Sequence, residues 1–206
     1  MKLPAFLVLL PMASQAATTV SDTWVVNTQI PDNSAIGLSS SRTLVSHVTA
    51  IQSVEVYLDV SGGWAGDLYA YLSHGSGFSV LLNRPGRTAA VDEGSGAMSL
   101  LITISGSGIS DVHTALPSSG SATGVFQPDG RNLDPADSLD TSPRTALMDS
   151  FNGLDANGEW TLYFADVAAG DTMTLNSWSL QVTGVPEPSV AIMTLLGSLW
   201  LWRRRR

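Results

Sequence analysis

The chain has 206 residues, no cysteine and few charged side chains, which make up 14% of the sequence. This length fits one domain with a core large enough to fold without crosslinks, and the lack of cysteine excludes disulfides, thiolate zinc sites and cysteine nucleophiles. Setting aside Lys2 and the last four arginines leaves five arginines against 18 carboxylates, a net of 5 − 18 = −13. A surface this acidic repels phosphate backbones, so nucleic acid is excluded as a partner, whereas cations and neutral polymers such as polysaccharide fit better.

The chain opens with the three parts of a secretory signal peptide. Lys2 precedes the apolar run 3–10, Pro11 ends that run, and small residues follow up to Ala16 and Ala17. Charged, hydrophobic and cleavage regions in this order direct a chain to the Sec export machinery. We therefore predict a signal peptide over residues 1–16, cleavage between Ala16 and Ala17, and a folded domain over residues 17–184.

Within that domain, apolar and polar side chains alternate with period two, which is typical of strands with one buried face. Four segments show the alternation clearly: 51–60, 68–73, 98–104 and 160–165. In the third of them the predicted buried face consists of Met98, Leu100, Ile102 and Ile104. Weaker strand candidates lie at residues 24–29, 42–46, 78–82 and 124–127.

The last strand region changes phase. Met173 and Leu175 are apolar at odd positions, but the apolar positions are even from Trp178 onward, which predicts a bulge or tight turn at residues 176–177. Short strands separated by Gly, Asn, Asp and Ser predict an all-β fold. We expect a jelly-roll-like β-sandwich of about eight or nine strands.

Two of the strand units carry a family resemblance. Residues 66–73 read GDLYAYLS and continue through a glycine-containing turn to the Val-Leu-Leu of residues 80–82; residues 151–180 include FNG, NGEWTL, Asp166, Gly170 and SWSL. From about residue 30 to residue 184 the chain resembles the P domain (P/Homo B) that follows the catalytic domain of proprotein convertases. The turn after Leu72 lacks the usual proline, and residues 129–149 look like an insertion.

A subtilisin-like protease normally precedes a P domain, and the signal peptide here leads almost directly into the resembling region. His47, His74 and His113 are present, but the sequence contains no G-x-S-x-G elbow and no H-E-x-x-H helix. We therefore predict no catalytic residues and no enzymatic activity. An unrecognised hydrolase remains the least favoured alternative, because a Ser-His-Asp triad is defined by geometry and not by order in the chain.

Several carboxylates stand where a hard cation such as calcium finds oxygen ligands. The acidic segment 128–140 and the two hallmark units supply the candidates: Asp67, Asp129, Asp134, Asp137 and Asp166. Their spacing matches no EF-hand or repeat-type calcium motif. Aspartates in turns also bond to nearby backbone N–H groups without any metal, so turn stabilisation is the competing interpretation.

Aromatic residues in the first hallmark unit suggest a ligand surface. Tyr69 and Tyr71 face away from the apolar side of their strand, and Trp64 lies in the glycine-rich approach to it. Exposed flat rings stack on sugars, so these three residues are candidate polysaccharide contacts. The alternative is that loops or the second sheet cover both faces of the strand.

The C-terminal segment combines three elements. Pro186, Glu187 and Pro188 precede an uncharged run over residues 189–202, and the chain closes with Arg203, Arg204, Arg205 and Arg206. An apolar run before a basic cluster is the pattern of a membrane stop with arginines on the cytoplasmic side. As a helix the run spans about 21 Å, less than the ~30 Å of a bilayer core.

This segment, residues 185–206, resembles the PEP-CTERM sorting signal of Gram-negative bacteria. The resemblance implies recognition by an exosortase, removal of the tail and transfer of the protein from an inner-membrane-anchored intermediate to the cell surface or extracellular matrix. It also implies an association with exopolysaccharide. A permanent inner-membrane anchor is the alternative.

These observations lead to a first expectation and an alternative to it. The first is an exported, non-catalytic surface or matrix protein that acts in adhesion, matrix or exopolysaccharide association. The alternative is a P-domain-like accessory module that binds or stabilises a separately encoded serine protease. The expected cofactors are none, or calcium.

Overall fold

The computed structural model describes residues 16–186, which form ten strands and little helix. The strands are β1 (Thr18–Gln29), β2 (Ser34–Leu44), β3 (Val48–Gly62), β4 (Leu68–His74), β5 (Gly77–Asn83), β6 (Ala97–Ser105), β7 (Ser110–Asp111), β8 (Gly120–Gln127), β9 (Gly158–Asp166) and β10 (Met173–Pro186). The helical pieces are the α-helical turn α1 (Val112–Ala115) and two 3-10 turns, Ala65–Asp67 and Met148–Phe151. Over this part of the chain, no helix has the length and apolar character needed to cross a membrane.

The strands form two sheets that pack as a β-sandwich. One sheet has the order β1-β10-β3-β6-β8-β7 and the other the order β2-β9-β4-β5. Apolar side chains from both sheets make one core, whose largest fully buried members are Trp160, Trp178, Phe151 and Phe164. The Trp178 indole also donates a hydrogen bond to Ser40 Oγ of the opposite sheet. The predicted all-β sandwich is therefore confirmed.

The predicted alternation decides which side chains reach the core. In β3, β4 and β9 the expected apolar residues are buried, and the register shift between Leu175 and Ser177 confirms the bulge in β10. The prediction for Met98 is wrong, since its side chain is 56% exposed. The β6–β8 register is irregular between Ala97 and Ser99, and Ala97 faces the core in its place.

Both ends of the described segment lie at one end of the sandwich. Thr18 pairs with Gly184, which in turn pairs with Ile51, and β10 continues to Pro186, opposite Val48. The strand therefore runs two residues beyond the predicted domain end at residue 184 and includes the first residue of the predicted sorting motif. Residues 1–15 of the predicted signal peptide and residues 187–206 of the predicted tail lie outside the described residues.

The predicted insertion covers an edge of the four-stranded sheet. The backbone N–H groups of Asp129 and Gly130 donate to Leu81 and Val80 of β5, and Val80 donates to Ala146. An unpaired strand edge is a template for aggregation, and backbone pairing with this segment removes that exposure for β5. The segment thereby also brings residues 134–136 beside the outer face of the sheet.

Candidate functional site

Four aromatic rings form a continuous cluster on the outer face of the four-stranded sheet. They belong to Tyr69 and Tyr71 of β4, Phe78 of β5 and Tyr163 of β9, and all four are half-buried. Tyr71 lies at the centre, with its ring centroid 4.8 Å from Tyr163, 5.1 Å from Phe78 and 6.0 Å from Tyr69. We call these four residues the aromatic face.

The strand pairing positions this cluster. Tyr71 and Tyr163 are direct partners in the β4–β9 pair and stack with an interplanar angle of 18°. Gly37 of β2 passes so close to the Tyr163 side chain that a Cβ at this position would lie 2.7 Å from both its Cζ and its hydroxyl oxygen. The Tyr163 hydroxyl donates to the Ala35 carbonyl, which fixes the ring at one side of the face.

A groove of about 400 Å³ runs beside the aromatic face. Tyr69 and Tyr163 form one wall and Pro135 and Ala136 another, while Arg84 and Asp134 supply charge. Arg84 has a φ of 49°, an uncommon conformation for a residue with a side chain. Such a conformation persists only where surrounding contacts hold it, and here the guanidinium donates to the carbonyls of Gly66 and Asp92.

The tyrosine hydroxyls provide polar contacts at this face. Burial raises the pKa of Tyr69, and Tyr71 and Tyr163 raise it further, so the phenol stays protonated at physiological pH. Within residues 16–186 the hydroxyls of Tyr69 and Tyr71 have no hydrogen-bond partner, whereas that of Tyr163 does. The face therefore offers flat apolar rings together with hydroxyls available to a ligand.

The sequence analysis predicted two of the four residues of the aromatic face as ligand contacts. It included Tyr69 and Tyr71 but missed Tyr163 and Phe78. It also included Trp64, which lies apart: its indole donates to the Glu93 carbonyl, its ring packs over Gly96, and no ring contact connects it to the aromatic face in the described segment. The outward position of Tyr163 could have been read from the alternation in β9, but its pairing with Tyr71 could not.

The five predicted calcium ligands do not form one site. Asp67 ends the turn before β4 and lies near Asp166 of β9, because Asp166 pairs with Leu68. Asp134 and Asp137 are exposed, and the Asp134 carboxylate accepts the Ala136 N–H in a local turn. Asp129 is fully buried elsewhere.

Asp129 belongs to a buried network of charged groups. One carboxylate oxygen accepts from His113 Nδ1 at 2.8 Å and from the Asn83 N–H at 3.1 Å, and the other accepts from Arg131 Nη1 at 3.1 Å. Arg131 also donates to Asp111 at 2.9 Å. Arginine and histidine side chains of the protein thus bind the carboxylate of Asp129 in the acidic segment. The prediction of Asp129 as a calcium ligand is corrected, because donors of the chain already occupy both of its oxygens.

The histidines do not assemble a nucleophilic site. His113 bonds Asp129 through Nδ1, but its Nε2 meets the Arg87 carbonyl, and its side chain is fully buried. The His74 ring stacks on Trp160 at 4.0 Å, and both of its nitrogens face backbone carbonyls, while His47 is exposed. Among the described residues, none of the three histidines bonds a serine hydroxyl.

No protein-family model matches the chain, and no curated protein matches it. The solved structure of the serine protease of Aeromonas sobria is 16% identical with a TM-score of 0.49, over 84% of this chain and 28% of that chain. The complex of the Aeromonas sobria serine protease with the chaperone is 19% identical with a TM-score of 0.48, over 82% of this chain and 27% of that chain. This chain thus spans little more than a quarter of each solved chain, and neither match assigns a function to it.

Proposed function

We propose that this protein is exported, sorted to the cell surface or extracellular matrix through its C-terminal tail, and holds matrix polysaccharide on the aromatic face. The single observation that carries the binding role is the ring cluster of Tyr69, Tyr71, Tyr163 and Phe78 beside a groove. The export and sorting roles rest on the order of signals at the two ends of the sequence.

Physical chemistry favours a sugar on this surface. Pyranose rings present flat C–H faces that pack on aromatic rings, and their hydroxyls need polar partners at the edge of the contact. Tyr69 and Tyr71 offer both, and Arg84 and Asp134 add a donor and an acceptor in the groove. The excess of carboxylates in the chain disfavours a strongly anionic polymer, so we expect a neutral or weakly charged polysaccharide.

Binding is tested with the purified full-length chain and the exopolysaccharide of the producing cell, by affinity electrophoresis or pull-down. Tyr69→Ala and Tyr71→Ala should each weaken binding about tenfold, the loss expected when a ring contact contributes about 1.4 kcal/mol. The matched control is Tyr57→Ala, since Tyr57 is 36% exposed on the outer face of the other sheet. Equal binding by all three variants, or equal loss in the control, contradicts the proposed site.

Sorting is tested separately by mass spectrometry of the protein recovered from the producing cell. The expected mature chain begins at Ala17 and has lost the tail after residue 185 or close to it. An exosortase and the Sec machinery are the partners that this processing requires, with a membrane-anchored intermediate between the two cleavages. Recovery of the chain from cytosol with Met1 and Arg206 intact would contradict this part of the proposal.

A second candidate is an accessory module of the P-domain kind, with a jelly-roll-like strand order, that binds or stabilises a separately encoded serine protease. The observation that favours it is that the two hallmark segments supply β4 and β9, which pair along Leu68–Ser73 and Thr161–Asp166. Co-purification from the culture medium distinguishes the candidates. A stoichiometric serine protease that survives removal of polysaccharide supports the accessory module, and its absence supports the matrix protein.

A further inference from the structure

A buried carboxylate without a complete set of partners closes β9. Asp166 pairs with Ser34 of β2 on one side and Leu68 of β4 on the other, and it has no exposed surface. Its Oδ1 accepts the Ala168 N–H at 3.3 Å, but its Oδ2 has no hydrogen-bond partner within residues 16–186. A buried polar oxygen in this state indicates a missing proton, water or ion.

A second carboxylate lies next to it. Asp67 directly precedes β4, and its carbonyl accepts the Val167 N–H at 2.9 Å, which ties the start of β4 to the end of β9. The Asp67 side chain is 9% exposed, and no donor of the described residues bonds its carboxylate. Two buried carboxylates with free oxygens thus stand close together, one in the turn before β4 and one at the end of β9.

The charges around the pair are two carboxylates and one cation. Asp32 and Asp171 lie close enough to act on both carboxylates and are negative. Arg84 is the nearby cation and lowers the pKa of Asp67, but burial together with Asp171 and Asp32 outweighs it, so that this pKa is raised overall. The Arg84 guanidinium donates to the Gly66 and Asp92 carbonyls, and in the described residues it makes no hydrogen bond to either carboxylate. Burial, followed by the field of Asp67, Asp32 and Asp171, raises the pKa of Asp166 to about 6, which a bound cation would reverse.

We propose that Asp67 and Asp166 bind one divalent cation of the size of calcium. Over residues 16–186 no group of three carboxylate or imidazole side chains lies close enough together to hold a metal ion. The side-chain ligands therefore number two, and backbone carbonyls and water complete the shell of about six to eight oxygens that calcium takes. An all-oxygen set excludes soft metals in favour of a hard cation.

The proposal is tested on the purified full-length chain in non-ionic detergent after treatment with EDTA and dialysis. Calcium is titrated in by isothermal calorimetry near neutral pH, and terbium is used as a luminescent probe, because tyrosines such as Tyr69 near the site sensitise its emission. The variants are Asp67→Asn and Asp166→Asn. The matched control is Asp22→Asn, which removes the same charge from an exposed position on β1.

We expect one calcium per chain with a Kd below about 1 mM in the wild type and the control, and at least tenfold weaker binding in both site variants. Terbium emission should follow the same order. No binding by the wild type, or unchanged affinity in both site variants, overturns the site. Polysaccharide binding by the EDTA-treated protein is measured in parallel, so that failure of the cation site is distinguished from failure of the aromatic face.

Discussion

Replacing Asp129 by asparagine tests the energy of the buried network of charged groups, because the side chain keeps its size, loses its charge and exchanges one acceptor oxygen for an NH2 donor. In the wild type, two side chains donate to this carboxylate: His113 at 2.8 Å and the Arg131 guanidinium at 3.1 Å. The Asp129 and His113 side chains are fully buried and that of Arg131 is 3% exposed, so water cannot take over. Charge-assisted hydrogen bonds contribute about 1.5–3 kcal/mol each, and breaking a buried pair costs about 3–5 kcal/mol.

We therefore expect Asp129→Asn to lower the free energy of unfolding by about 3–5 kcal/mol, a large share of the roughly 5–15 kcal/mol typical of a domain. Urea denaturation followed by tryptophan fluorescence measures the loss, because Trp160 and Trp178 report on the core. The control Asp137→Asn, at an exposed position, should change stability by less than about 0.5 kcal/mol. A loss below about 1 kcal/mol for Asp129→Asn would refute the assigned role of the network.

Other perturbations have defined outcomes. Burial opposes the charged form of His113, but the hydrogen bond to Asp129 and the charge of Asp129 raise its pKa above 6.5. The stability that His113 contributes should be complete below pH 6.5 and disappear as the pH rises through the higher pKa of the folded state. Urea titrations of His113→Gln should not show this pH dependence of the free energy of unfolding. In EDTA, the free energy of unfolding should fall by roughly 3 kcal/mol, (6 − 3.8) × 1.36, as the pH rises from 3.8, the ordinary pKa of an aspartate, to above about 6, the raised pKa of Asp166. The loss arises because Asp166 must then ionise while buried. Asp166→Asn should not show this decline. Gly66→Ala should lower stability by about 1–3 kcal/mol in the same assay, because the added Cβ meets the Glu93 carbonyl and lies 2.8 Å from the Ser95 nitrogen; a wild-type midpoint would contradict this.

Local patterns in the sequence predicted the core well, because which face of a strand is buried is recorded in its own residues. The alternation in β3 and β9 and the change of phase before Trp178 all reappear in the structure. The prediction that Met98 is buried was wrong because its orientation is set by another strand. Its orientation depends on the irregular register between β6 and β8, and nothing in residues 98–104 records that pairing.

The candidate site was only partly predictable for the same reason. Tyr69 and Tyr71 share one strand, so their common face follows from their spacing. Tyr163 joins them because β9 pairs with β4 across a long stretch of chain, and that register is a property of the whole fold. In the acidic segment, counting oxygens suggested calcium at Asp129, whereas its partner His113 comes from α1, outside the segment.

The positions of charge and of the chain ends bear on how the protein would act at a surface. Residues 18 and 184 pair at one end of the sandwich, so a C-terminal tail inserted in a membrane, as proposed, would hold that end towards the lipid. Loops and strand ends at the opposite end carry nine carboxylates against Arg84 and Arg87: Asp32, Asp67, Asp92, Glu93, Asp134, Asp137, Asp140, Asp166 and Asp171. An anionic surface repels this acidic end, which favours the same orientation. The aromatic face lies along the side of the sandwich between the two ends, so this orientation would leave it accessible to polymer.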